Sequence, residues 1–70
     1  MPALKWTDAD EIGHRLHQAD PGADPLAVRF IELRDCVTAL ADFDDDPSAC
    51  SEGALEAIQM AWVDWAGRDQ

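Results

Sequence analysis

Apolar positions recur at helical spacing in three stretches of the chain, and turn-forming residues separate them. In the first stretch, Ala9, Ile12, Leu16 and Ala19 fall on one narrow face at roughly 100° per residue, which predicts a helix from about Asp8 to Ala19. Thr7 stands where an N-cap is needed, and Asp8, Asp10 and Glu11 occupy the first turn, where the helix dipole favours negative charge. Asp20-Pro21-Gly22 ends this helix, since proline lacks an N–H and the residue before it avoids the α region.

Asp24-Pro25 reads as an N-cap with proline in the first position of a short helical turn through Ala27. Val28-Arg29-Phe30 favours β structure but is too short for a strand. Leu33, Cys36, Val37 and Leu40 then repeat at the spacing of one buried helix face, predicting a second helix from about Glu32 to Ala41. Phe43 follows and is expected to dock its ring on the core. The third helix is expected after Ser51, its N-cap, and runs to about Ala66. Leu55, Ile58, Trp62 and Trp65 with Ala54, Ala61 and Ala66 cover an arc of roughly 140°, wider than a surface helix needs. Gly67 suits the C-terminal cap and Arg68 the cation that the dipole favours there. The expected fold class is mainly α, one compact three-helix domain over 1–70 with little or no sheet.

Charge changes this picture most. Fifteen Asp and Glu stand against five Lys and Arg, a net charge of −10 in 70 residues. Such a domain is repelled by nucleic acid phosphates and by anionic lipid, so neither is expected as a partner. A basic protein surface or a metal cation is the natural complement. No apolar run reaches the length of a membrane span, and Met1 to Trp6 lacks the apolar core of a signal peptide, so a cytoplasmic monomer is expected. Cys36 and Cys50 form no CxxC and are expected as free thiols, Cys36 as a small buried hydrophobe on the second helix.

The acid is most concentrated in Asp42-Phe43-Asp44-Asp45-Asp46-Pro47. A calcium loop of the EF-hand type needs glycine sixth and glutamate twelfth; counted from Asp42, those places hold Pro47 and Gly53. A looser oxygen-ligand site for Fe²⁺, Mn²⁺ or Mg²⁺ on Asp42, Asp44, Asp45 and Asp46 stays open, as do a docking surface and a solvated loop. Asp10, His14 and His17 share an arc opposite Ile12 and Leu16, a second metal candidate that reads more simply as a polar face. Trp6 and Trp62 are expected in the core, and Trp65 at its edge as a lid or a contact residue. No serine or cysteine nucleophile stands beside a base in a known motif, and no glycine-rich loop cradles phosphate, so an enzyme is not expected.

Leu4-Lys5-Trp6-Thr7-Asp8, Glu11-Ile12, Asp24-Pro25 before Val28-Arg29-Phe30, Leu40, the run from Asp42 to Pro47, and Leu55-Glu56-Ala57-Ile58 with Trp62 come in an order that resembles the IscX family. These are small acidic proteins of the bacterial iron–sulfur cluster assembly system. The resemblance spans Leu4 to about Ala66 without gaps. It implies a modified winged-helix architecture, docking on a cysteine desulfurase of the IscS type through an acidic surface, weak iron binding by exposed carboxylates, and competition with frataxin-like proteins. The residues expected to make that acidic surface are Asp8, Asp10 and Glu11, Asp44, Asp45 and Asp46 of the loop from Asp42 to Asp46, and Glu52 and Glu56. The alternative is a stand-alone Fe²⁺ donor or sensor without stable docking. The chain departs from the family pattern at Ile31, where a hydroxyl is expected, at Cys36, where an aromatic is expected, and at Trp65, where a polar residue is expected.

Overall fold

The computed structural model describes residues 3–68. Three helices form: α1 (Ala9–Ala19), α2 (Phe30–Thr38) and α3 (Glu52–Arg68), with 3₁₀ turns at Pro25–Ala27 and Pro47–Ala49. The one β-type pairing among the described residues is a parallel bridge between Leu4 and Phe43. The chain is thus all-α and compact, with a radius of gyration of 10.9 Å.

The core is built from Leu4, Trp6, Ile12, Leu16, Leu33, Val37, Leu55, Ile58 and Trp62. Its centre is the contact between α1 and α3. A Cβ on Gly13 would lie 2.7 Å from the backbone nitrogen of Trp62 and 2.8 Å from the Cβ of Ala61. The two helices therefore touch backbone to backbone, a contact that only glycine permits. This close approach shifts the buried face of α1 from the one expected: Gly13 and His17 join Ile12 and Leu16, while Ala9 is partly buried and Ala19 is exposed. His17, expected on the polar side, is only 8% exposed.

Local chemistry explains where the elements start. The N-cap of α1 is Asp8, not Thr7, and its carboxylate accepts from the backbone N–H of Lys5 at 2.9 Å instead of capping the helix. Asp24 accepts from the N–H of Leu26 at 3.1 Å, as its place before proline predicts. Helix α2 begins two residues earlier than expected, with Glu32 Oε1 accepting from the N–H of Arg29 at 3.2 Å. It ends three residues earlier, where the chain turns through bonds from Leu40 N–H to the Val37 carbonyl and from Phe43 N–H to the Leu40 carbonyl. So short a helix buries only Leu33 and Val37. Cys36 is exposed, contrary to expectation, on the rim of a cleft of about 290 Å³ shared with Leu16, Ala19, Asp20, Ala39, Leu40 and Trp62. In α3, Ser51 Oγ accepts from the N–H of Ala54 at 3.1 Å, the cap that was expected. Gly67 does not end α3, which continues through it to Arg68.

Candidate functional site

The acidic loop is fastened by the segment that precedes α1. Leu4 N–H donates to the carbonyl of Asp42 at 2.8 Å, and Asp44 N–H donates back to the carbonyl of Leu4 at 2.9 Å. Trp6 adds two bonds, from its backbone N–H to Asp45 Oδ2 at 3.0 Å and from its indole Nε1 to the Asp46 carbonyl at 2.7 Å. Lys5 Nζ donates to the carbonyl of Asp44. Phe43 meets the Trp6 ring edge-on at 4.8 Å between centroids, so the expected docking of this ring is met. An apolar pair and a short backbone pairing thus pin a loop that its own charge would otherwise spread.

The four aspartates do different things. Asp42 is ion-paired with Arg15 Nη1. Asp45 accepts from Trp6 N–H with one oxygen and from Asp46 N–H, at 2.8 Å, with the other. Asp46 Oδ1 accepts from the N–H and the hydroxyl of Ser48, at 2.9 and 2.8 Å, capping the turn that begins at Pro47. Asp44 keeps its carboxylate mainly in water, 78% exposed, with Lys5 Nζ 3.8 Å away. The capping role of Asp46 was missed, although Asp24-Pro25 and Asp46-Pro47 carry the same signal; charge drew attention away from it.

The acids of α1 divide between two sides. Glu11 points towards the loop: Arg15 Nε donates to its Oε1 at 3.1 Å while the same guanidinium holds Asp42. Asp8 lies at the start of the helix, tied to Lys5. Asp10 faces α3, where its carbonyl and its Oδ1 both accept from Trp65 Nε1 at 3.2 Å. Trp65 is half-buried under His14, stacked at 4.0 Å, and lies beneath the Arg68 guanidinium at 4.5 Å. Glu52 and Glu56 stand exposed on the first two turns of α3. The structure therefore gathers Asp8, Glu11 and the loop, and sets Asp10 apart against Trp65.

Neither set of candidate ligands converges. Among the described residues no group of three or more His, Cys, Asp or Glu is placed to hold a metal ion. Asp42, Asp45 and Asp46 are turned to Arg15, to backbone N–H groups and to Ser48, leaving Asp44 outward; Asp10 and His14 are engaged with Trp65, and His17 is buried. The residues do not fit a resident iron ion.

Hydrogen bonds to backbone hold the Asp45 carboxyl below the usual range, from Trp6 first and Asp46 second. Asp46 is lowered likewise, by the N–H and the hydroxyl of Ser48. A lowered folded value contributes stability above the ordinary 3.8 and loses it as pH falls through the folded values. Acid should therefore release the loop from Trp6 only below about pH 4. The indole N–H resonance of Trp6 is the probe: it should hold still from about pH 8 to 5 and shift below 4. A transition centred above pH 5 would contradict this assignment.

A family model for iron–sulphur cluster assembly matches residues 4–66. The chain belongs to the IscX family. Its work therefore lies with the iron–sulfur cluster assembly machinery. It is also 47% identical, over 62 residues, to an uncharacterized protein of Pseudomonas aeruginosa, covering 89% of this chain and 94% of that one. Among the described residues, no helix of this IscX-family chain is long and apolar enough to cross a membrane.

Proposed function

We propose that this IscX-family chain is a non-enzymatic adaptor that docks on a cysteine desulfurase of the assembly machinery and modulates cluster assembly there. The contact is its acidic surface, made by Asp8 and Glu11, by Asp44, Asp45 and Asp46, with Asp10, Glu52 and Glu56 extending it. The observation that carries the reading is the pinning of the acidic loop beside the start of α1 by Leu4 and Trp6. Charges held in place before encounter lose little freedom on binding, and they attract and orient a basic surface. The same surface suits competition with another acidic protein for that site, of the frataxin type.

The thiol of Cys36 is not activated as a nucleophile. Partial burial first, then the carboxylates of Asp35, Glu32 and Asp20, push its thiol up and keep it protonated. A protonated thiol is a poor nucleophile. Iron binding belongs to this reading only as weak association with the outward oxygens, Asp44 foremost. The stand-alone iron module has less support, because among the described residues no three candidate ligands come together.

Titration of the chain into desulfurase with a strong iron chelator present tests the reading. A 1:1 complex should form unchanged. Replacing Asp44, Asp45 and Asp46 with asparagine should largely remove iron binding and weaken docking only in part, since the α1 acids remain and asparagine still caps the turn at 46, although at 45 it keeps only one of the two acceptors. A complex that requires iron would shift the assignment to the metal-binding module.

A further inference from the structure

The docking surface contains a cation of the wrong sign for its task. Arg15 lies one turn along α1 from Glu11 and bridges that residue to Asp42, 27 positions further on. Its side chain is 28% exposed and that of Asp42 is 30%, so the pair is partly shielded from solvent. Asp42 is also the root of the loop, its carbonyl accepting from Leu4 N–H at 2.8 Å. The bond to Asp42 first, and that to Glu11 second, raise the guanidinium above its ordinary value. Arg15 thus carries its charge at every relevant pH.

We propose that Arg15 is the positioning residue of the docking surface, joining the acids of α1 to the acidic loop as one rigid face. This rests on the adaptor reading above. Without the guanidinium, Glu11 and Asp42 face each other as two uncompensated carboxylates, and their repulsion moves the start of α1 and the root of the loop apart. The other fastenings described above run to residues 4–6, whereas Arg15 reaches the loop from the body of α1. A forked, planar guanidinium serves two carboxylates at once, which the point charge of lysine does less well.

Charge and position predict opposite signs, which makes the test decisive. Arg15→Gln makes the chain more negative, so charge counting alone predicts tighter binding to a basic desulfurase. Positioning predicts binding weaker by roughly three- to tenfold at low salt. Arg34→Gln is the matched control: among the described residues Arg34 pairs with its exposed neighbour Asp35 at 3.8 Å, so the same charge change there should leave affinity equal or higher. Arg15→Lys should recover part of the loss. Amide exchange at Leu4 and Asp44, whose N–H groups close the pairing at the loop root, reads the same effect with no partner present. Arg15→Gln should speed exchange there roughly three- to tenfold while the amides of Ile58 and Trp62 in α3 keep their protection. Unchanged exchange at Leu4 and Asp44, or affinity raised by Arg15→Gln as by Arg34→Gln, overturns the proposal. Wild-type protein that does not bind desulfurase at all overturns the adaptor reading instead, and the exchange data then still decide the role of Arg15. If Arg15→Gln does not fold, Arg15→Lys carries the comparison, with an intermediate loosening expected.

Discussion

Replacing Trp62 with alanine should remove about half of the stability of the domain. Trp62 is 3% exposed, and its backbone is the partner of Gly13 where α1 and α3 touch. Removing a buried indole costs about 3–5 kcal/mol through lost burial and the cavity left behind. A domain of this size has roughly 4–10 kcal/mol to lose, so about half of it goes. One feature makes the substitution series informative. Trp62 Nε1 is buried and has no hydrogen-bond partner among the described residues. Trp62→Phe keeps most of the ring volume and removes that unsatisfied donor, which by itself costs about 1–3 kcal/mol. Phenylalanine should therefore cost far less than alanine. Trp65→Ala, half-buried and stacked on His14, should also cost much less and leave the helical circular dichroism nearly intact. Denaturant unfolding of the three variants measures this order. Equal losses for Trp62→Ala and Trp65→Ala would mean that the core is not centred where α3 crosses α1.

Much of this core could be read from the chain itself. Ile12 and Leu16 on α1, Leu33 and Val37 on α2, and Leu55, Ile58 and Trp62 on α3 all recur at helical spacing and all are buried. Periodicity worked because each of these helices packs an apolar stripe on the others. It failed at Cys36, which keeps the spacing of Leu33 and Val37 but lies outside the strip that a nine-residue helix buries. It failed at His17 for the opposite reason. The close approach at Gly13 shifts the buried face, and a single glycine in a helical pattern says nothing about which neighbour it admits.

The acidic loop was legible as charge and much less so as structure. Its docking through Phe43 could be expected from an aromatic inside a charged run. Its fastening to Leu4 and Trp6 is a contact between residues about forty positions apart, which no local pattern announces. For the same reason the pairing of Arg15 with Asp42 left no trace in the sequence, whereas its partnership with Glu11 follows from helical spacing. Four aspartates within five residues look equivalent until their partners are known. Here Asp45 and Asp46 hold the loop, Asp42 joins it to α1, and Asp44 faces water.

The second large effect concerns docking. An acidic face that meets a basic one is weakened by salt, because the Debye length falls from about 10 Å at 0.1 M to about 3 Å at 1 M. Apolar contacts are not weakened in this way. The most direct test is the affinity of the wild-type chain for cysteine desulfurase, measured with chelator present as ionic strength rises from about 0.05 M to 0.5 M. A fall of roughly tenfold or more across that range is the predicted result, carried mainly by slower association. An affinity that stays constant from low salt to high would contradict electrostatic docking and direct attention to the apolar surface beside Trp65.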